Sequence, residues 1–379
     1  MAVRYYLLDN YIILIKWIKE VNRLSGRVNQ MKGMQSIEFA EMPYIMESAC
    51  ICGSKEGEGP LKDTFDTFVS DDMFGCDTWE KAESALQEKT VKLLMAKSSL
   101  DKKDIRYIFA GDLMGQLIAS TFGLMNFEIP LFGLYGACST MGEAISLGAM
   151  TVAGGYADKI IALASSHFAS AEKTFRFPLE YGNQRPYSAT WTVTGCGAVT
   201  IVDRKKVDCT MAKAAIKGVT TGKIIDYGVR DSMNMGACMA PAAADVIENN
   251  LKDFNYRPDE YDKIITGDLG YIGQTILISL LKEKGIDISE NHMDCGIEIF
   301  DSEKQDTHAG GSGCGCSASV LCGYILNNIK TGVWKKVLFV PTGALLSTVS
   351  FNEGQTVPGI AHGVIIQTVE VESCQWWWM

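Results

Sequence analysis

Read along its length, the chain predicts an α/β fold made twice over: a mostly parallel sheet covered by helices on both faces, in two copies. Three observations carry this. Short β-rich runs alternate with segments of helical periodicity. A strand–Gly–Asp–Leu corner occurs at Ile108-Phe109-Ala110-Gly111-Asp112-Leu113 and returns at Ile264-Ile265-Thr266-Gly267-Asp268-Leu269, 156 positions later. Hydrophobic residues make up 47% of the 379 and charged residues 21%, which supplies a large core and excludes a disordered chain.

The elements follow in order. In the first half, residues 105–110, 130–135, 159–164 and 197–202 are short runs rich in Ile, Val, Tyr and Phe and read as strands. Residues 78–95, 116–123 and 140–153 between them read as helices. The second half repeats the plan. Ala157-Asp158-Lys159-Ile160-Ile161 has a counterpart in Trp334-Lys335-Lys336-Val337-Leu338, and each half closes on a strand, 197–202 and 363–369. A helix is expected over 317–327. The charged break Asp203-Arg204-Lys205-Lys206 marks the seam. The expected organisation is an N-terminal extension over 1–33, a first half over 34–203 and a second half over 204–379.

The two ends differ from this body. Residues 1–33 carry six basic side chains against Asp9 and Glu20, a local +4 in a chain of formal net charge −10. The apolar stretch 5–18 is interrupted by Asp9, Asn10 and Lys16, too punctuated to span a bilayer and without the cleavage site of a signal peptide. Two readings stand: a basic amphipathic helix on an anionic membrane surface, or an upstream translation start ahead of Met31 or Met34. Trp376-Trp377-Trp378 suits a membrane interface, a protein contact or a fold back onto the body.

The acidic balance and the lack of a basic stripe exclude a general nucleic-acid binder. Twelve cysteines without framework spacing point to a reducing, intracellular compartment. Cys50/Cys52 and Cys314/Cys316 lack the spacing of zinc knuckles and read as buried small residues. Neither a metal nor a cofactor is expected.

The chemistry centres on Gly133-Leu134-Tyr135-Gly136-Ala137-Cys138-Ser139-Thr140, where a strand ends and a helix begins. Helix N-termini present unpaired N–H groups and the positive end of the dipole. Such a corner either lowers a cysteine's pKa or holds a carboxylate without reaction. Glu143 falls in the first turn. The second half offers Gln305-Asp306-Thr307-His308-Ala309-Gly310-Gly311-Ser312-Gly313, a histidine at the mouth of a Gly-rich turn. Two such corners facing each other would pair a nucleophile with a base. His167, His292 and His362 are weaker candidates.

Taken together, the Gly-Ala-Cys-Ser-Thr corner, the Thr-His-Ala-Gly-Gly-Ser-Gly corner, Pro341-Thr342-Gly343-Ala344 and the duplicated βαβαβαββ body resemble the thiolase superfamily, and within it a branch of sporulation proteins. The resemblance runs from about Met34 to Val371. It implies a five-layered αβαβα body, with Cys138 at the nucleophile's position and His308 at that of the histidine. Asp268 falls where a thiolase has Asn and a condensing enzyme His. The last corner, Phe339-Val340-Pro341-Thr342-Gly343, lacks the second thiolase cysteine.

An ionised carboxylate repels a developing oxyanion, so these departures favour binding over acyl transfer. The sporulation branch implies a ligand, dipicolinate, alone or as its calcium salt, held as part of the channel system that loads the developing spore. It also implies contact with other channel subunits, peripheral association with the inner spore membrane, and pairing of two copies of the chain. The expected ligand site is Cys138, Ser139, Asp268 and His308, with Arg176 and Arg185 for the second carboxylate. Phe175, Tyr187 and Trp191 are available to stack on its ring. Two other classes remain: a thiolytic or condensing enzyme using Cys138 and His308, and an assembly scaffold.

Overall fold

The structure, a computed structural model, describes residues 29–175 and 184–369. Most of the extension, Arg176, Phe177 and the tryptophan tail lie outside the described residues.

Ten strands form the body. The first five are β1 (Tyr44–Cys52), β2 (Tyr107–Gly111), β3 (Leu131–Gly133), β4 (Lys159–Ser166) and β5 (Gly195–Val202). The second five are β6 (Ala214–Thr220), β7 (Lys263–Thr266), β8 (His292–Asp294), β9 (Lys336–Val340) and β10 (Gly363–Gln367). The helices are α1 (Trp79–Ser98), α2 (Ile118–Leu124), α3 (Thr140–Ala153), α4 (Phe168–Phe175), α5 (Met235–Phe254), α6 (Gly270–Glu283), α7 (Cys295–Ile299) and α8 (Cys314–Val320). A π turn, Leu321–Ile325, carries α8 on into Leu326–Lys330.

The duplication is explicit in the sheet. The first half runs β3-β2-β4-β5-β1 and the second β8-β7-β9-β10-β6, the same order. In each half the fifth strand is antiparallel to both neighbours while the second pairs in parallel with the third and fourth. The halves touch through a short antiparallel pairing of Ala214 with Ile45 and Ala215 with Tyr44.

Side-chain alternation along the strands builds the layers. On β2 and β4, Ile108, Ala110, Ile161 and Leu163 point outward and pack with Leu86, Val91 and Leu94 of α1. On β7, β9 and β10, Ile264, Leu338 and Ile365 point the other way and pack with Ile247 and Leu251 of α5 and Leu277 and Leu281 of α6. The opposite faces share one central core: Phe109, Ile160, Ala162, Ile265, Phe339 and Val364 enclose Met141 and Ile145 of α3 and Cys316 and Ala318 of α8. Three cores separating five layers give the expected αβαβα stack.

Close approach at the centre is set by size. A Cβ on Gly197 of β5 would sit 2.2 Å from the Ala318 carbonyl oxygen, so only glycine lets α8 lie this near the first-half sheet. Deleting a fully buried side chain such as Leu86 costs about 2–5 kcal/mol. Cys50, Cys52, Cys314 and Cys316 are all fully buried, as their spacing suggested. The layering directs the N-termini of both central helices, α3 and α8, toward the junction of the two halves, where the site lies.

Candidate functional site

The Cys138 corner is shaped by its neighbours. Ala137 has φ +49°, left-handed for a residue with a Cβ, a strain that recurs at functional corners. Two hydroxyls fasten the turn: Ser139 donates to the Gly136 carbonyl at 2.7 Å, and Thr140 donates to the Ala137 carbonyl at 2.7 Å. Ser139, expected to touch ligand, is spent on the turn and fully buried. The segment Thr342–Ala344 closes the corner. A Cβ on Gly343 would lie 2.2 Å from the Gly136 carbonyl oxygen and 3.3 Å from the Cys138 nitrogen.

Asp268 is the partner of Cys138. It sits just after β7, fully buried. Its Oδ2 accepts the Gly313 N–H at 3.0 Å and its Oδ1 accepts the Thr342 hydroxyl at 2.9 Å. The Cys138 thiol is its electrostatic neighbour. Burial pushes the Asp268 carboxyl up to about 7, with its interactions with Cys138 and Gly313 opposing. For Cys138 the electrostatics run against ionisation. Burial and then the Asp268 charge hold the thiol well above its ordinary 9.0. At this helix start the thiol's pKa is raised, first by desolvation and then by the neighbouring Asp268 charge. Glu143 is likewise raised by burial.

Asp112, the first-half counterpart of Asp268, accepts the Met114 N–H and both the N–H and hydroxyl of Ser120. The repeated Gly-Asp corner thus fastens a helix in one half and faces the sulfur in the other.

A cavity of ≈ 40 Å³ opens beside Cys138. Both halves wall it: Leu113, Tyr135 and Phe175 from the first, Met235, Ser312 and Leu346 from the second. Among the described residues no Arg, Lys or His lines it.

His308 is elsewhere. Its Nδ1 lies 2.9 Å from the Pro186 carbonyl and its Nε2 3.2 Å from Asp306 Oδ1, so both ring nitrogens face acceptors. The expected shared cleft of Cys138 and His308 is corrected accordingly: the residue that reaches the cavity from this loop is Ser312. The reason is position. Ser312-Gly313 adjoin the start of α8, as Cys138 adjoins α3, whereas His308 lies six residues before that helix. Distance to the helix start, not the presence of a histidine, was the signal to follow.

Arg185 is also not in the cavity wall. Its Nη2 is 2.9 Å from both the carbonyl and the carboxylate of Asp306. The ribbon Trp191–Thr192, paired in parallel with Gly311–Ser312, separates the two regions. Thr192 and Ser312 line the cavity, and Trp191 carries Arg185 on its ring. Arg176 lies outside the described residues. Of the remaining histidines, His167 bonds the Asp72 carbonyl, while burial pushes His292 and His362 down to about 4.

The comparisons agree with the fold. A family model described as Stage V sporulation protein AD (SpoVAD) matches residues 33–367. The stage V sporulation protein AD of Bacillus subtilis (strain 168) is 39% identical over 338 residues, covering 89% of this chain and 98% of that protein. Human mitochondrial 3-ketoacyl-CoA thiolase, solved in complex with CoA, shares the fold at a TM-score of 0.55 and 12% identity, covering 88% of this chain and 99% of its own. The 3-oxoacyl-[acyl-carrier-protein] synthase III of Aquifex aeolicus VF5 superposes at 0.50 with 11% identity, covering 86% and 99%. With a thiolase-like fold and a match over nearly its whole described length, the chain belongs to the stage V sporulation protein AD family.

Proposed function

We propose that this sporulation protein binds a ligand in the Cys138 cavity and performs no acyl transfer there. The ligand is dipicolinate, carried with a calcium ion, on its way into the developing spore through the stage V sporulation protein A channel. One observation carries the reading: the Cys138 thiol has a fully buried acidic side chain, Asp268, as its electrostatic neighbour, with no histidine in the cavity wall among the described residues. A protonated sulfur facing a carboxylate is neither a nucleophile nor an oxyanion hole.

The walls suit a flat aromatic diacid. Tyr135 and Phe175 offer faces for the ring and Ser312 a hydroxyl, while Glu172, which takes the Thr192 hydroxyl, adds an acidic group to the wall. With no cation in the described wall, a dicarboxylate needs its charge neutralised by a companion ion, which favours the calcium form. The cavity holds only a few waters, at about 10–15 Å³ each, so its walls must separate to admit the ligand.

Two copies of the chain pair in this proposal through β3. That strand bonds only β2, and its Leu131 and Phe132 are exposed, an open edge of the kind proteins cover. No helix among the described residues is long and apolar enough to cross a membrane. In this proposal, contact with the inner spore membrane and with the other channel subunits is peripheral.

Calorimetry on the full chain tests the central part. Dipicolinate with calcium should give saturable heat, and dipicolinate alone a weaker response. No heat at millimolar ligand in either condition would remove the proposal.

A further inference from the structure

Behind the ribbon Trp191–Thr192, on the side away from the Cys138 cavity, two cations share one aromatic ring. Phe168 stacks on Trp191 with centroids 3.9 Å apart and planes 8° from parallel, which fills one face of the indole. Lys55 Nζ lies over the ring at 4.3 Å and the Arg185 guanidinium at 4.9 Å, so both occupy the remaining face. Two like charges held this way repel unless something negative lies with them.

Arg185 is incompletely satisfied. Its side chain is 4% exposed, yet Nε and Nη1 meet no acceptor among the described residues, which leaves three of the five guanidinium N–H groups unused. Buried charged donors left without partners are costly, and natural structures fill such places with water or an anion. Asp306 cannot fill it. Its carboxylate is 77% exposed, already takes Nη2, and is shared with His308. Lys55 donates to the Gln305 carbonyl at 2.6 Å and has two further N–H groups to offer. Burial holds its ammonium below the ordinary value; Glu56, Asp306 and Glu58 pull it up, and Arg185 pushes it down. The loop beneath is strained, with Asp306 and His308 both left-handed at φ +52°.

We propose that Arg185 and Lys55, seated on Trp191, form a second binding site that takes one small oxyanion, a carboxylate or a phosphate group. The site is separate from the Cys138 cavity and does not depend on what that cavity binds. Arg185, expected from the sequence to serve the ligand at Cys138, serves this site instead.

Calorimetry of the full chain at fixed ionic strength, with inorganic phosphate in one arm and acetate in the other, tests it. Saturable millimolar binding of either probe is expected, weakened about tenfold or more in both Arg185→Gln and Lys55→Gln. Preference for phosphate or for acetate identifies which oxyanion the site was built for. Arg185→Gln unpairs Asp306 and is the variant more prone to misfold; Lys55→Gln, on a half-buried side chain with one hydrogen bond, then decides alone. Absence of saturable binding in both arms, or binding that Lys55→Gln leaves unchanged, overturns the proposal.

Discussion

Asp268→Asn isolates the electrostatics of the site. The folded protein raises this carboxyl from 3.8 to about 7, while the unfolded chain returns it to its ordinary value. A raised carboxyl binds its proton more tightly in the folded state. The stability it contributes is therefore complete below pH 3.8 and is lost as pH rises toward and through 7. Each tenfold gain in proton affinity is worth about 1.4 kcal/mol, so the full loss is about 4 kcal/mol, of which about 2.5 falls between pH 5 and pH 8. Asparagine cannot ionise, so this share of the pH dependence should vanish in the variant. Any constant cost of the changed hydrogen bonds to Gly313 and Thr342 cancels in the difference between the two pH values. The assay is urea unfolding of both proteins at pH 5 and pH 8. A wild-type decline exceeding that of the variant by about 2–3 kcal/mol supports the reasoning. Equal declines in the two proteins would mean that folding does not raise the Asp268 pKa, and the desolvation assigned to this carboxyl would be wrong.

Other outcomes follow from particular contacts. Gly343→Ala places a Cβ against the Gly136 carbonyl and should destabilise by about 1–3 kcal/mol or more while abolishing dipicolinate heat; a stable variant that still binds would show that the corner yields. If two copies pair through β3 as proposed, light scattering should show a dimer for the wild type and a monomer for Phe132→Lys; a wild-type monomer, or a dimer that the variant leaves unchanged, would remove β3 as an interface. His308→Ala should alter dipicolinate affinity less than about twofold, because its ring faces Pro186 and Asp306; a loss of tenfold or more would restore it to the site.

Much of the fold was legible because local patterns agree with global placement. The expected helix over 140–153 matches the structure residue for residue, the run Ile264-Ile265-Thr266 falls within the strand Lys263–Thr266, and the repeated Gly-Asp-Leu corner marks the same place in both halves. Other elements were silent. Met235–Phe254 carries Pro241 within the helix and an alanine-rich face with little polar punctuation, so periodicity did not reveal it. Tyr44–Cys52 and Ala214–Thr220 are buried nearly throughout and lack the alternation that marks a half-exposed strand.

The site was legible in part. That Cys138 and Asp268 stand at the ends of strands in two halves follows from the sequence, and the structure brings them together. The direction in which the sulfur's pKa moves did not follow, since it depends on burial and on a carboxylate 130 positions away. Nor did the fate of Arg185, whose partner Asp306 lies 121 positions further along the chain. A charge is visible in a sequence; what neutralises it is a property of the packing.

The most direct test of the central claim is the pH profile of alkylation at Cys138, resolved from the other cysteines by mass spectrometry. A protonated, buried thiol predicts a rate that climbs about tenfold per pH unit up to pH 9 without levelling off. A plateau below pH 7 would reveal a thiolate poised for attack, and the protein would have to be read as an enzyme.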